Sequence, residues 1–201
     1  MTETTSLARI DEAALNTLFR DARTARNFAA DPIPEADLHA IYDLVKMGPT
    51  SMNLQSLRIV YVTSPQAKAR LLTHIFDGNK DKAASAPVNA ILAADMDFHD
   101  TMHITNPHSP NARDSFADEA RRATMARNQA WLAAGYFTMA VRALGYAAGP
   151  MGGFKASSLD EDFFADSSWR SICVVNIGKP GPDAWHERAP RLSFEQAARI
   201  V

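Results

Sequence analysis

The segment at residues 49–55 concentrates hydroxyl and amide side chains where one regular element ends and the next begins. The preceding Gly48 ends a helix easily and Pro49 cannot continue one, so the segment is predicted to be a loop. Such a loop offers side-chain donors and free backbone N–H groups to a small ligand. The alternative is a connector whose polar groups bond to their own backbone. Its polar residues are Thr50, Ser51, Asn53 and Gln55.

Two arginine pairs, one near each end of the chain, are the next candidates for ligand binding. Arg23 and Arg26 are three residues apart, with Thr24 between them, and Arg188 and Arg191 have the same spacing. A helical turn would direct Arg23 and Arg26 to one side. The planar guanidinium group matches phosphate, and a neighbouring hydroxyl adds a donor. The alternative for the first pair is a solvated basic helix end.

Two further segments have the composition of a binding site. Residues 149–154 are predicted to form a glycine-dense loop, in which glycine lets the backbone approach a ligand, but their spacing matches neither the dinucleotide fingerprint nor the P-loop. A polar turn predicted at 78–82 places Asn79 and Lys82 three residues apart. The histidines within 95–113 do not form a His-Glu-x-x-His motif, so we assign no metal site.

The composition bounds the class of protein. The chain has 201 residues, of which 46% are hydrophobic and 22% charged, with a net charge of −2. This predicts a single domain over residues 1–201 and gives no electrostatic footprint for nucleic acid or an anionic membrane. The apolar window at 131–148 is interrupted by Arg142, which favours a buried helix over a membrane span. The single Cys173 and an N-terminus without a signal-peptide pattern predict a cytoplasmic protein.

The elements that must position these residues follow from the apolar pattern. Residues 95–113 lack periodicity and contain prolines, so we predict a long loop of the kind that often forms a lid. The longest helical pattern covers 114–144, and its many small residues predict the central packing helix. Strands are predicted at 57–63, 88–94 and 171–177. Further helices are predicted after the caps Asp11 and Ser64 and from Ser193, and another has Pro34 in its first turn.

Read together, five motifs resemble the FMN-dependent nitroreductase family over essentially the whole chain. Residues 23–28 read Arg-Thr-Ala-Arg-Asn-Phe, similar to the family's Arg-Ser-x-Arg-x-Phe. Residues 49–57 keep the Pro, Asn and Gln of its Pro-Ser-x-x-Asn-x-Gln-Pro-Trp loop but have Ser-Leu in place of Pro-Trp. The other three matches are Asn79 with Lys82, residues 149–154, and Arg188 with Arg191.

Within this family, the sequences of three segments resemble those of the malonic semialdehyde reductases of pyrimidine degradation. The matching segments are Met-Gly-Pro-Thr-Ser at 47–51, Pro-Met-Gly-Gly-Phe at 150–154 and Pro-Arg-Leu-Ser-Phe-Glu at 190–195. That resemblance implies reduction of malonic semialdehyde to 3-hydroxypropionate, for which Arg58 and Arg113 are candidate anchors of the substrate carboxylate. Many nitroreductases carry a glutamate at the position of Gly152, so this chain departs there from the nitroaromatic-reducing branch.

The resemblance implies an α+β fold with a mixed sheet flanked by helices, assembled as an intertwined homodimer with two flavins at the interface. It implies an enzyme with bound FMN, ping-pong transfer of hydride from NADH or NADPH to a small-molecule substrate, and no catalytic side chain. Three alternatives remain open. The first is a nitro or quinone reductase, or other flavin chemistry, on the same fold, and the second is a non-catalytic FMN-binding module. A third, a structural protein with surface arginines only, would purify colourless.

The resemblance also implies a role for each matched residue. The phosphate would be held by Arg23, Thr24 and Arg191, with Arg188 as a weaker candidate. The pyrimidine edge of the ring would lie near Arg26, Asn79 and Lys82, where positive charge favours the reduced anion. The ring edge that accepts hydride would meet the backbone of Pro150, Met151, Gly152 and Gly153. The partner subunit would contribute Pro49, Thr50, Ser51 and Asn53.

Overall fold

The computed structural model describes residues 7–201, in which four strands form one antiparallel sheet in the order β1-β2-β4-β3. The strands are β1 (Leu57–Val62), β2 (Val88–Asp95), β3 (Ala147–Met151) and β4 (Trp169–Gly178). Leu57 lies opposite Ala94, Val88 opposite Ile177, and Ala147 opposite Gly178. The α+β class is confirmed. The family resemblance implied a mixed sheet, but all three strand pairings within the described sheet are antiparallel.

The predicted strands at 57–63, 88–94 and 171–177 are confirmed, but β3 replaces part of a predicted loop. The glycine-dense segment at 149–154 was expected to be irregular, whereas Gly149, Pro150 and Met151 belong to β3. Its sequence, Ala-Ala-Gly-Pro-Met, has low strand propensity and no alternation of apolar and polar residues, so the sequence did not predict a strand there. Pro150 is tolerated because β3 pairs only with β4 in the described sheet and needs no second ladder.

Helices begin after the predicted caps Asp11, Ser64 and Ser193. The side chains of Asp11 and Ser64 accept backbone N–H groups of the first turn, and Ser193 forms a capping box with Gln196. A π-helical turn (Asn16–Arg20) extends the first helix. The helices are α1 (Glu12–Leu15), α2 (Glu35–Val45), α3 (Pro65–His74), α4 (Asp77–Ser85), α5 (Met102–Thr105), α6 (Glu119–Ala143), α7 (Ala156–Phe163) and α8 (Phe194–Ala197).

Three predicted segments differ in the structure. The polar turn at 78–82 is part of α4, whose sequence is too polar to show an apolar helical stripe. The loop at 95–113 contains the 3-10 turn Phe98–Thr101 and α5, and a second 3-10 turn covers Ala112–Phe116. The helix predicted at 114–144 begins only at Glu119, because Asp118 caps it.

The helix α6 is the central packing element, as predicted. It contacts α2 and all four strands, and Ala126, Ala130, Ala134, Phe137 and Val141 form its buried stripe. The small side chains let the helix axis approach the sheet closely, while Phe137 fills the space beside them. On the other face of the sheet, α3 and α7 bury a second apolar cluster.

Within residues 7–201, no helix combines the length and the apolar character that crossing a bilayer would require.

Candidate functional site

Arginines from distant parts of the chain converge on one cavity of about 480 Å³, which we term the arginine cavity. Arg23 lies just after α1 and its π-helical turn, Arg142 lies in the last turn of α6, and Arg188 and Arg191 lie in the segment before α8. Thr24 also lines the cavity. The remaining lining residues are Phe19, Ala22, His186, Glu187 and Ala189.

Backbone carbonyl oxygens hold these guanidinium groups in place. Arg23 Nη1 donates to the His186 carbonyl oxygen at 3.0 Å, and Arg188 Nη2 donates to those of Arg20 and Ala22 at 2.6 and 2.8 Å. Arg191 Nη1 donates to the Ala189 carbonyl oxygen at 2.8 Å. A carbonyl oxygen orients the fork of donors but does not cancel its charge.

The arginine cavity therefore keeps a strong positive charge. Within the part of the chain that the structure describes, none of Arg23, Arg142, Arg188 and Arg191 pairs with a carboxylate. Four arginines against the single Glu187 leave a formal charge of about +3 around the cavity. Several planar forks around one open space suit a phosphate group, which has several acceptor oxygens.

A second group of predicted residues meets at the end of β3. Asn79 Nδ2 lies 3.4 Å from the Gly153 carbonyl oxygen, and Lys82 Nζ lies 3.4 Å from Asn79 Oδ1. A Cβ atom added at Gly153 would stand 2.1 Å from Asn79 Nδ2, so a larger residue there would displace the Asn79 amide. The α4 helix thus brings an amide and an ammonium group to the glycine-rich segment.

The polar loop at residues 49–55 adopts a strained conformation. Met52, Asn53 and Gln55 have φ values of 50°, 55° and 46°, a left-handed region that costs a non-glycine residue on the order of 1–3 kcal/mol. Side chains outside the loop compensate: Gln129 Oε1 accepts the Ser51 N–H at 2.7 Å, and the Tyr136 hydroxyl donates to the Pro49 carbonyl oxygen at 3.1 Å.

The loop is also joined to α5. Asn53 Nδ2 donates to the Thr105 carbonyl oxygen at 2.6 Å, and Gln55 Nε2 donates to Asn53 Oδ1 at 3.0 Å. Between the loop and α5 lies a second cavity, of about 390 Å³, which we term the loop cavity. Its walls are mixed, combining hydroxyl and amide groups with the apolar side chains of Val45, Ile104 and Trp169.

The two candidate anchors of a substrate carboxylate do not meet. Arg58 lines the loop cavity and pairs with Asp95, Nη2 to Oδ2, at 2.6 Å, whereas Arg113 lines a separate cavity and pairs with Asp100 at 2.5 Å. Arg58 also donates to the Gln55 and Leu57 carbonyl oxygens. Both guanidinium groups are thus already paired with a carboxylate.

The structure brings some of the predicted residues together and keeps others apart. Arg23, Thr24, Arg188 and Arg191 share the arginine cavity, whereas Thr50 lines the loop cavity, and the two cavities have no lining residue in common. Arg26 and Gly152 are exposed and line neither cavity. In one chain, the predicted site is therefore divided into separate regions.

The single cysteine lies in the core of the protein. Burial raises the pKa of the Cys173 thiol, so this side chain is a protonated core residue at neutral pH. No group of three or more potential metal-binding side chains occurs within residues 7–201.

The sequence reasoning missed three residues that the geometry brings to the site. Gln129 and Tyr136 hold the polar loop, and Arg142 lines the arginine cavity. All three lie on α6, and the apolar periodicity that predicts this helix does not single out isolated polar residues within it. One signal was available, because Arg142 is a cation inside the most apolar window of the chain and needs an acceptor there.

Comparison with known proteins identifies related sequences. The model of the nitroreductase family matches residues 19–179. A protein of Streptomyces griseus named "Putative NADH dehydrogenase/NAD(P)H nitroreductase" is 47% identical over 193 residues, covering 96% of this chain and 98% of that protein.

Solved structures share the fold at lower identity. A Bacillus subtilis nitroreductase structure has a TM-score of 0.84 and 21% identity, covering 95% of this chain and all of that chain. A structure from Exiguobacterium sibiricum, described as a nitroreductase in complex with FMN, has a TM-score of 0.82 and 19% identity over 98% of this chain and all of that chain.

Proposed function

The chain belongs to the nitroreductase family of oxidoreductases, and we propose that it is an FMN-dependent enzyme that passes electrons from NADH or NADPH to a small-molecule acceptor. The proposed unit is the whole chain, residues 1–201, as one domain. The 47% identical relative is named for NAD(P)H, and a structural neighbour is described in complex with FMN. Bound FMN would supply the hydride chemistry, because no side chain of the protein can accept and release a hydride.

The arginine cavity carries this proposal. We assign Arg23 and Arg191 to the FMN phosphate, with Thr24 adding a hydroxyl donor and Arg188 as a further cation. None of these three arginines pairs with a carboxylate in the described chain, so an anion entering the cavity meets oriented donors and uncompensated charge.

The Asn79–Lys82–Gly153 group would receive the ring. Lys82 places an ammonium group beside the Asn79 amide, and Arg26 is the second cation that we assign to this edge. Positive charge there stabilises negative charge that develops on a bound ring. Gly152 is exposed and has open space where a Cβ atom would stand, so its backbone is accessible, whereas Gly153 makes room for the Asn79 amide. The exposed Pro150 and half-buried Met151 complete the segment.

We propose that a second copy of the chain completes the site. Pro49, Thr50, Ser51 and Asn53 belong to a region with no lining residue in common with the arginine cavity, so a flavin held by those arginines would take them from the partner subunit. The surface supports association: Trp131 on α6 is 51% exposed, and Leu192 and Phe194 near the C-terminus are 70% and 57% exposed. A partner subunit would remove large exposed apolar side chains such as these from water.

For the acceptor we propose malonic semialdehyde, which would be reduced to 3-hydroxypropionate. The support is the resemblance of residues 47–51, 150–154 and 190–195 to that branch of the family. A quinone or nitro compound is the second candidate, favoured by the partly apolar, 390 Å³ loop cavity and by the pairing of Arg58 and Arg113 with aspartates.

Anaerobic half-reactions test these assignments in sequence. The purified chain should be yellow, NADH or NADPH should bleach it, and an acceptor should restore the colour. Bleaching without recovery by any acceptor would contradict the reductase, and tight FMN without bleaching would indicate a binding module. Recovery with malonic semialdehyde at least ten times faster than with menadione or nitrofurazone would support the first substrate, and the reverse order would support the second.

A further inference from the structure

Arg142 occupies a position that packing alone does not explain. It lies in the last turn of α6, in the most apolar long window of the sequence, and is only partly exposed. Its Nη1 donates to the Leu18 carbonyl oxygen at 2.9 Å, and its Nε is buried without a partner among the described residues. A guanidinium group has five N–H donors, so much of its bonding capacity is unused.

The charge of Arg142 is also uncompensated. It lines the arginine cavity together with Arg23, Arg188 and Arg191, and no carboxylate of the described chain pairs with it. Burial, and then the positive charge of Arg188, lower the pKa of Arg142. Because arginine stays protonated in proteins, the folded chain maintains this repulsion, and an anion in the cavity would relieve it.

We propose that Arg142 is a further ligand of the FMN phosphate, contributed by α6, and that it makes the cavity discriminate between FMN and riboflavin. This rests on the proposed function, since it assumes that the cavity holds the phosphate of a flavin. Phosphate has enough acceptor oxygens to receive Arg142 in addition to Arg23 and Arg191. The α6 helix is anchored against all four strands, so it would fix this cation more rigidly than the segment before α8 can fix Arg188 or Arg191.

The competing explanation is that Arg142 only fastens the turn Asn16–Arg20 to α6 through the Leu18 carbonyl oxygen. The two roles predict different ligand dependence. A fastening role affects every flavin equally, because it acts through the shape of the site. If Arg142 binds the phosphate, its loss weakens the binding of FMN and leaves the affinity for riboflavin unchanged. Riboflavin has the same ring and ribityl chain but no phosphate.

The test is titration of the full-length, flavin-free chain with FMN and with riboflavin, followed by the change in flavin fluorescence. We expect Arg142→Gln to raise the Kd for FMN at least tenfold, as for loss of one charge-assisted hydrogen bond. The Kd for riboflavin should stay within twofold. The matched control is Arg127→Gln, which removes the same charge from the same helix about 22 Å away, at 1.5 Å per residue, and should leave both constants unchanged.

Each other outcome decides against the inference. An unchanged Kd for FMN, or an equal rise for both flavins, would overturn the phosphate role of Arg142. If Arg142→Gln does not fold, Arg142→Lys replaces it, because lysine keeps the charge but lacks the planar fork of donors. The preference for FMN over riboflavin should then fall at least threefold. An unchanged preference would contradict the inference. A wild-type chain that binds neither flavin would overturn the proposed function as well. If the wild-type chain binds FMN and the Arg142 variant binds it equally well, only the role of Arg142 is rejected.

Discussion

The arginines of this protein fall into two groups that differ in what faces the guanidinium. Around the arginine cavity, Arg23, Arg188 and Arg191 donate to backbone carbonyl oxygens, and their charge is retained. Beside the loop cavity and α5, Arg58 and Arg113 pair with Asp95 and Asp100, and their charge is cancelled. The same residue type therefore builds an anion site in one region and a structural crosslink in the other.

The comparison shows that a count of arginines does not locate an anion site. What matters is whether the acceptor that orients the guanidinium carries a formal charge. A carbonyl oxygen leaves the cation available to a ligand, while a carboxylate at 2.6 Å would compete with any incoming anion. This is why we assign the phosphate to the arginine cavity and treat Arg58 as a support for the loop cavity.

The largest effect should come from breaking the buried pair of Arg58 and Asp95. Asp95 also accepts the Ser168 hydroxyl at 2.6 Å and the Asp97 N–H at 2.9 Å, and its side chain is only 9% exposed. We expect Asp95→Asn to lower the free energy of unfolding by about 3 kcal/mol, because it leaves the partly buried Arg58 without its counter-charge. Urea denaturation measures this, and a loss below about 1 kcal/mol would contradict the structural role.

The next effect concerns the retained charges. Arg23→Gln should raise the Kd for FMN about 100-fold, equivalent to about 2.7 kcal/mol, because it removes a charged fork from the arginine cavity. Arg70→Gln is the control, since Arg70 is already paired with Asp162 at 2.6 Å and should leave flavin affinity unchanged. Equal loss in both variants would mean that net charge, and not the cavity, governs binding.

A third variant tests whether packing, rather than charge, holds the polar loop. A Cβ atom at Gly48 would stand 2.1 Å from the ring of Tyr136, whose hydroxyl bonds to Pro49. We expect Gly48→Ala to cost about 1–2 kcal/mol of unfolding free energy, because the ring must leave its place. Gly78→Ala meets nothing within 4 Å and should be neutral or stabilising. Thermal unfolding of both variants makes the comparison, and equal melting temperatures would refute it.

The smallest effect should come from the exposed pair of Arg113 and Asp100. Both side chains are more than half exposed, at 59% and 56%, so solvent screens their attraction. We expect Asp100→Asn to change the unfolding free energy by no more than about 0.5 kcal/mol. Urea denaturation of Asp100→Asn and Asp95→Asn under the same conditions tests whether burial causes the difference between their losses of unfolding free energy. A loss for Asp100→Asn as large as that for Asp95→Asn would contradict this reasoning.

Local signals predicted much of the fold, and their failures have physical causes. The capping residues Asp11, Ser64 and Ser193 marked real helix starts because a cap acts within one turn. The strand β3 was missed, since Ala-Ala-Gly-Pro-Met forms a strand only because β4 offers it a partner. The α4 helix was missed because its polar sequence carries no apolar stripe.

For the candidate site, the sequence by itself determined which residue types are present and in what order: two basic pairs, a polar loop and a glycine-rich segment. Only the tertiary structure decided that Arg142 joins Arg23, Arg188 and Arg191 around one cavity, and that Arg58 is paired with Asp95. The reason is that propensity and capping depend on neighbours within a few residues. The acceptor that a guanidinium group finds depends on contacts between residues that lie far apart in the chain.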